Sequence, residues 1–313
     1  VPRVVELAGG VGGAKLADGL QAVVGPDLTV IVNTGDDLER HGLVIWPDHD
    51  TVAYTLAGLD DEERGWGLKD ETWTVIDTLA DRGEDAWFRL GDRDIATHLV
   101  RTERLRTGER PTDVAKGLGA SLGVAATVLP MTDDAVRTEL RTGDGWLEFQ
   151  EYFVHRSQRP DVHEVRFRGI EAACISPEAR AAIEMAEIIV IAPSNPIVST
   201  GPILALPGVR EAVGAASGRG TPIVAVSGIV GGRALRGPAD RMLASLGHEP
   251  SALGVARIYA GVADRFVLDQ QDRDLAPDIE ALGMRTRVTD TVMTDDAARA
   301  RLAAEVLEFA VTP

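Results

Sequence analysis

One five-residue run, Gly9-Gly10-Val11-Gly12-Gly13, constrains the chain more than any other segment. A β-branched stretch, Val4 to Leu7, runs into it, and an amphipathic stretch, Ala14 to Val24, leaves it. A strand, a glycine turn and a helix in that order bring bare backbone N–H groups and a helix N-terminus to one point, where they can hold phosphate. The run is not a Walker A loop, because Lys15 lacks the required spacing and no Ser or Thr follows it. It also misses the dinucleotide fingerprint, since Lys15 stands where the third glycine is needed. A P-loop kinase and a nicotinamide dehydrogenase are both disfavoured. A tight turn with no ligand is the plainer alternative, but four glycines in five residues at the first strand end favour phosphate. Lys15 reads equally as a phosphate partner or as a solvated helix residue.

Beyond this unit, short apolar runs alternate with amphipathic ones. The pattern predicts an α/β protein with a Rossmann-like, doubly wound, mostly parallel sheet. Strands are expected at Leu28 to Val32, Ile188 to Ala192, Pro222 to Val226 and Phe266 to Leu268, with helices at Pro177 to Ala186, Pro238 to Leu246 and Asp296 to Phe309. Helical periodicity marks Thr72 to Arg82, Asp94 to Arg106 and Thr112 to Leu122. Val136 to Arg168 reads as antiparallel strands, with Gly143-Asp144-Gly145 as the turn between TELRT and WLEFQEYFVH. The expectation is a single domain over residues 1–313, with an inserted helical and antiparallel cap or lid at about 60–168.

Composition narrows the classes. The 313 residues carry a net charge of -17, which repels nucleic acid and anionic membranes from most of the surface. No apolar run is long enough to cross a bilayer and no charged-then-apolar leader opens the sequence, so a cytoplasmic protein is expected. Cys174 is the one cysteine, which rules out an internal disulfide and a cysteine metal cluster.

Acidic residues gather after the second strand, as Asp36 and Asp37, and again at Asp48 and Asp50 before the apolar run Val52 to Leu59. In a doubly wound sheet the carboxyl ends of adjacent strands share a crevice, so both groups can face the glycine turn. Carboxylates beside phosphates imply a hard dication, and Mg²⁺ fits because it takes few protein ligands. Taken singly, these aspartates also read as helix caps or turn residues. Around Leu90 to His98, Arg89 and Arg93 offer cations for phosphate or planar carbonyl groups, while Asp92 and Asp94 fall at a helix start. Ser194 and Asn195, held between two prolines after a buried strand, sit where ligands of such folds bind.

Taken in order, GGVGGAK, NTGDD, PDHDTVAYTLAG, RGWG, LGDRDIATHLVR, LPMTDD, LEFQEYFVHR, APSNPIVSTGPILALPG, RGPAD and TDTVMTD resemble the 2-phospho-L-lactate transferase family of coenzyme F-420 biosynthesis, over essentially the whole chain. The resemblance implies that the ribityl hydroxyl of 7,8-didemethyl-8-hydroxy-5-deazariboflavin attacks the distal phosphorus of a guanosine diphosphate ester. GMP then leaves, and Mg²⁺ assists. Carried over by position, Gly9, Gly10, Gly12, Gly13 and Lys15 would hold the diphosphate, and Ser194 and Asn195 the guanosine ester. Asp36, Asp37, Asp48 and Asp50 would lie at the metal. Asp50, Arg89, Asp92 and Arg93 would face the deazaflavin, with Asp50 orienting the hydroxyl or acting as a weak base. His49 stands where the pattern more often has an aliphatic residue. The family also implies a homodimer. Family members carry L-lactate or enolpyruvate, and an Arg-rich, Lys-poor composition fits an actinobacterial source, hence enolpyruvate. The competing class is a non-catalytic regulator with a similar glycine turn that binds nucleotide sugars.

Overall fold

The computed structural model describes residues 1–312. Its centre is a parallel sheet of seven strands: β1 (Val4–Ala8), β2 (Leu28–Val32), β3 (Thr127–Pro130), β4 (Ile188–Ile191), β5 (Ile223–Val226), β6 (Arg265–Asp269) and β7 (Arg285–Thr289). Their spatial order is 7-6-5-4-1-2-3, with every neighbouring pair parallel. The order reverses between β1 and β4, which makes the sheet Rossmann-like and puts its switch-point crevice there.

Alternation along each strand divides the core into two layers. Val5 and Leu7 join Ile31, Ile189 and Ile191 on one face, under the helices Pro177–Met185, Val209–Gly218 and Ala252–Tyr259. Val4 and Ala8 join Val30, Val32 and Val190 on the other, under α1 (Gly10–Val24), α2 (Pro47–Leu56) and the last helix, Asp296–Val311. Fully buried side chains such as Leu7, Leu16, Leu20 and Ile31 each contribute about 1.5–3 kcal/mol by leaving water. Glu6 shares the second layer, wholly buried, and neither of its carboxyl oxygens has a hydrogen-bond partner among the described residues.

The helix expected from Ala14 begins at Gly10, so the glycines are its first turn rather than a loop before it. The stretch expected as one cap, about 60–168, is divided, because β3 lies within it and pairs with β2. Between β2 and β3 come α2, α3 (Thr74–Asp81), α4 (Asp92–Arg106) and α5 (Pro111–Ser121). Between β3 and β4 comes a three-stranded antiparallel sheet, Arg137–Thr142, Gly145–Glu148 and Glu164–Arg168. The expected strand through EYFVH ends early, and Glu151–His155 forms a π-helical turn.

Candidate active site

A cavity of about 910 Å³ opens at the switch point. Gly9, Gly10, Gly12 and Lys15 form one wall, and Pro193, Ser194 and Asn195, after β4, form the facing one. The two are in close contact. Ser194 Oγ donates to Gly9 O at 2.7 Å and accepts from Gly9 N at 3.3 Å. A Cβ on Gly12 would lie 2.4 Å from Pro193 O, and Gly10 has a φ of +65°, so both positions require glycine. Gly13 packs on Ala8 and Ser194 below the cavity wall. The residue before α1, Gly9, has no side chain to cap it and no acidic residue occupies its first turn, so the helix start meets the cavity with the Asp48 carboxyl on Gly10 N–H. Lys15 Nζ donates to Met293 O at 3.1 Å, and burial with the nearby Arg299 and Arg236 lowers its pKa.

Two carboxylates face this turn. Asp36 and Asp48 both line the cavity and are nearly buried. Asn33 Nδ2 donates to Asp48 Oδ2 at 2.9 Å, whereas Asp36 Oδ1 has no partner. Burial pushes the Asp48 carboxyl up to about 6 against its hydrogen bonds from Asn33 and Gly10. Burial and the Asp48 charge raise Asp36 as well. A pair of confined oxygen donors that repel one another, one of them orphaned, suits a hard dication such as Mg²⁺.

The other two aspartates differ. Asp37 is buried near Arg137 and Arg101 and is absent from the described cavity wall. Asp50 does line it, but both its oxygens accept from Arg101, with Nη1 to Oδ2 at 2.9 Å. Burial alone would raise the Asp50 carboxyl; Arg101, His49 and His98 outweigh it and hold the group well below the usual carboxylate range. A carboxylate held ionised in this way can accept a hydrogen bond but is a poor proton acceptor.

Among the residues expected at the deazaflavin, Arg89 lines the cavity, donating to Asp77 Oδ1 at 2.7 Å and stacking over Trp73. Asp92 and Arg93 do not line it. Asp92 accepts from Thr72 Oγ1 and from the N–H groups of Thr74 and Val75, so it caps the start of α3. Arg93 is exposed and donates to Lys69 O. On the far wall, Asn195 Oδ1 is engaged by Ile197 N at 2.9 Å, an Asx turn that shapes the loop.

Sequence reading missed Asn33, Tyr54 and Arg101, together with the aromatic residues of the cavity lining, Trp66, Trp87, Phe88, Phe149 and Phe153. Arg101 had a usable signal, since Asp94, His98 and Arg101 fall at i, i+4 and i+7 on one helix face.

Fold and site together define a Rossmann-like α/β protein whose switch-point cavity is lined by a glycine-rich helix start, buried carboxylates and aromatic side chains. The family model for 2-phospho-L-lactate transferase CofD matches residues 4–309, and the chain belongs to that family, a family of phosphotransferase-type enzymes. It is 44% identical over 315 residues to a phosphoenolpyruvate transferase of Streptomyces griseus, covering 98% of each chain. It is 39% identical over 306 residues to a 2-phospho-L-lactate transferase of Methanosarcina mazei, covering 97% of this chain and 99% of that one. A crystal structure of a UPF0052 family protein from Bacillus halodurans superposes with a TM-score of 0.64 at 15% identity, over 97% of this chain and 98% of that one, a likeness of fold. Among the described residues, no helix is long and apolar enough to cross a membrane.

Proposed function

We propose that this enzyme transfers a phosphoenolpyruvyl group from a guanosine diphosphate ester to the terminal ribityl hydroxyl of a deazaflavin alcohol, releasing GMP. The observation that carries the reading is that one cavity is lined by two kinds of group. The glycine turn, Ser194, Asp36 and Asp48 suit a diphosphate and its cation, while Trp66, Trp87, Phe88, Phe149 and Phe153 suit a flat polycyclic acceptor. Its volume, about 910 Å³, is enough for both substrates together. Enolpyruvyl is preferred over 2-phospholactyl because relatives from Streptomyces and Kitasatospora at 42–44% identity carry the phosphoenolpyruvate name. A homodimer and a cytoplasmic location belong to the same proposal.

In the transfer, the hydroxyl oxygen bonds to the distal phosphorus as the diphosphate bridge breaks, GMP departs on the bridging oxygen, and the hydroxyl proton is released to solvent. The first-turn N–H groups of α1 neutralise phosphate charge, and the cavity holds hydroxyl and phosphorus in line. Asp36 and Asp48 would hold Mg²⁺, which supplies further charge neutralisation on the diphosphate. Asp50, fixed by Arg101, accepts the hydrogen bond of the hydroxyl and orients it. Asp50→Asn is expected to cut turnover at least about a hundredfold while GDP affinity changes little. Unchanged turnover in that variant removes Asp50 from the role. The deazaflavin's own fluorescence reports acceptor binding, and no change in the presence of Mg²⁺ and GDP overturns the acceptor.

A further inference from the structure

Between α2 and α4 runs a buried polar ladder that the transfer uses only at Asp50. Asp50 and Tyr54 stand one turn apart on α2, and Asp94, His98 and Arg101 share one face of α4. The helices meet head to tail: Arg101 engages Asp50, and Tyr54 Oη donates to Asp94 Oδ1 at 2.7 Å. Arg101 is fully buried, and its guanidinium lies 4.5 Å from the centre of the Trp46 ring.

Arg101 Nη1 also lies 2.9 Å from His98 Nδ1. A guanidinium can only donate, so Nδ1 is the acceptor and the ring carries its proton on Nε2. That Nε2–H has no hydrogen-bond partner among the described residues. Asp94 Oδ1, at 3.4 Å, accepts from Tyr54 and lies outside hydrogen-bond geometry for the ring. His98 is 1% exposed, and it lines the cavity beside Asp50, Tyr54 and Asp94. A buried, unsatisfied donor costs free energy until something accepts from it. Asp50, Asp94 and His98 come close enough to ligate a metal ion. However, Arg101 occupies the His98 Nδ1 lone pair and both Asp50 oxygens, and its fixed positive charge repels a cation. The missing partner is therefore an acceptor oxygen, and the Asp50 and Asp94 carboxylates at 3.7 and 3.4 Å from the ring favour a neutral one over an anion.

We infer that His98 contacts the acceptor substrate, donating from Nε2 to an oxygen of its polyhydroxyl chain, and that Arg101 is the positioning residue that fixes the His98 tautomer. This rests on the transferase reading above. A fixed donor beside the Asp50 acceptor matches a chain of hydroxyls, each of which both gives and accepts hydrogen bonds.

The test has two parts. In ¹⁵N NMR of the ligand-free protein at neutral pH, His98 should show a protonated Nε2 and an unprotonated Nδ1. The Nε2 signal should shift when the deazaflavin alcohol is added, and in Arg101→Met the single tautomer should be lost. Fluorescence titration should then find acceptor affinity reduced roughly tenfold in His98→Phe, where one hydrogen bond is lost, and largely recovered in His98→Gln. GDP affinity should stay within about twofold in both, as neither change touches the phosphate wall. If Arg101→Met does not fold, the two His98 variants still decide the matter. A proton on Nδ1, or a His98→Phe protein that binds the acceptor as tightly as the parent, overturns the inference. Failure of the parent protein itself to bind the deazaflavin alcohol while binding GDP overturns the transferase reading, and this inference with it.

Discussion

Ser194 Oγ donates to the carbonyl oxygen of Gly9 at 2.7 Å, tying the loop after β4 to the turn after β1 where the strand order reverses. Gly9 N–H gives back to the same hydroxyl at 3.3 Å. Ser194→Ala therefore leaves the buried Gly9 N–H unmet and takes one of two donors from Gly9 O, which also accepts the first bond of α1, at a cost of about 1–3 kcal/mol. A Tm lower by several degrees is expected, together with weaker GDP binding by calorimetry. A variant with parental Tm and GDP affinity would show that the stitch does not hold the phosphate wall in place.

Asp48 faces the pair of roles that the cation assignment creates. It repels Asp36 in the free protein, and both would share Mg²⁺ in the loaded one. Asp48→Asn should keep the Asn33 contact approximately in place while removing the charge. Its half-saturating Mg²⁺ concentration for turnover is expected to rise more than about tenfold, since losing even the hydrogen-bond partner of a metal ligand costs roughly 10–100-fold. Thermal stability without Mg²⁺ should hold or increase. An unchanged Mg²⁺ dependence would move the cation elsewhere.

Glu6 sets a pH dependence unconnected with the reaction. Burial raises its carboxyl well above the ordinary value, and no protein group compensates. The folded state thus holds this proton more tightly than the unfolded chain. Its contribution is fully favourable below the ordinary glutamate range and is lost progressively as pH rises toward the folded-state value. Glu6→Leu removes the unpaired group, a gain of about 1–3 kcal/mol at pH 7.5. That gain should shrink toward pH 4. Urea denaturation at the two pH values measures the difference, and an equal or inverted gain would contradict the account.

Local pattern made part of this molecule legible. Val4 to Val32 reads correctly because strand, glycine turn, helix and strand follow one another within about thirty residues, each marked by its own periodicity. Asp36 after β2 and the Ser-Asn loop after β4 could be placed at the crevice because both follow apolar runs that end at the sheet's carboxyl edge, whereas the neighbouring Asp37 turns away from the cavity. The strands at the two sheet edges were not legible. Thr127–Pro130 is four residues long and closes on a proline, and Arg285–Thr289 alternates arginines that an exposed edge tolerates but that hide a strand. Arg101 was missed because its partner, Asp50, lies 51 residues away and is reached only through the packing of α2 on α4. Asp92 and Arg93 misled for the opposite reason. A polar run at a helix start signals capping and binding alike, and only the fold shows that Asp92 turns toward α3.

The most direct test of the central claim is mass spectrometry of the product. Purified protein, Mg²⁺ and the deazaflavin alcohol are incubated with equal amounts of the enolpyruvyl and lactyl guanosine diphosphate esters, and both the deazaflavin product and GMP are quantified. The account predicts a deazaflavin enlarged by one phosphoenolpyruvyl group, with one GMP released per product. No change in deazaflavin mass and no GMP, from protein that binds a nucleotide sugar instead, would contradict it.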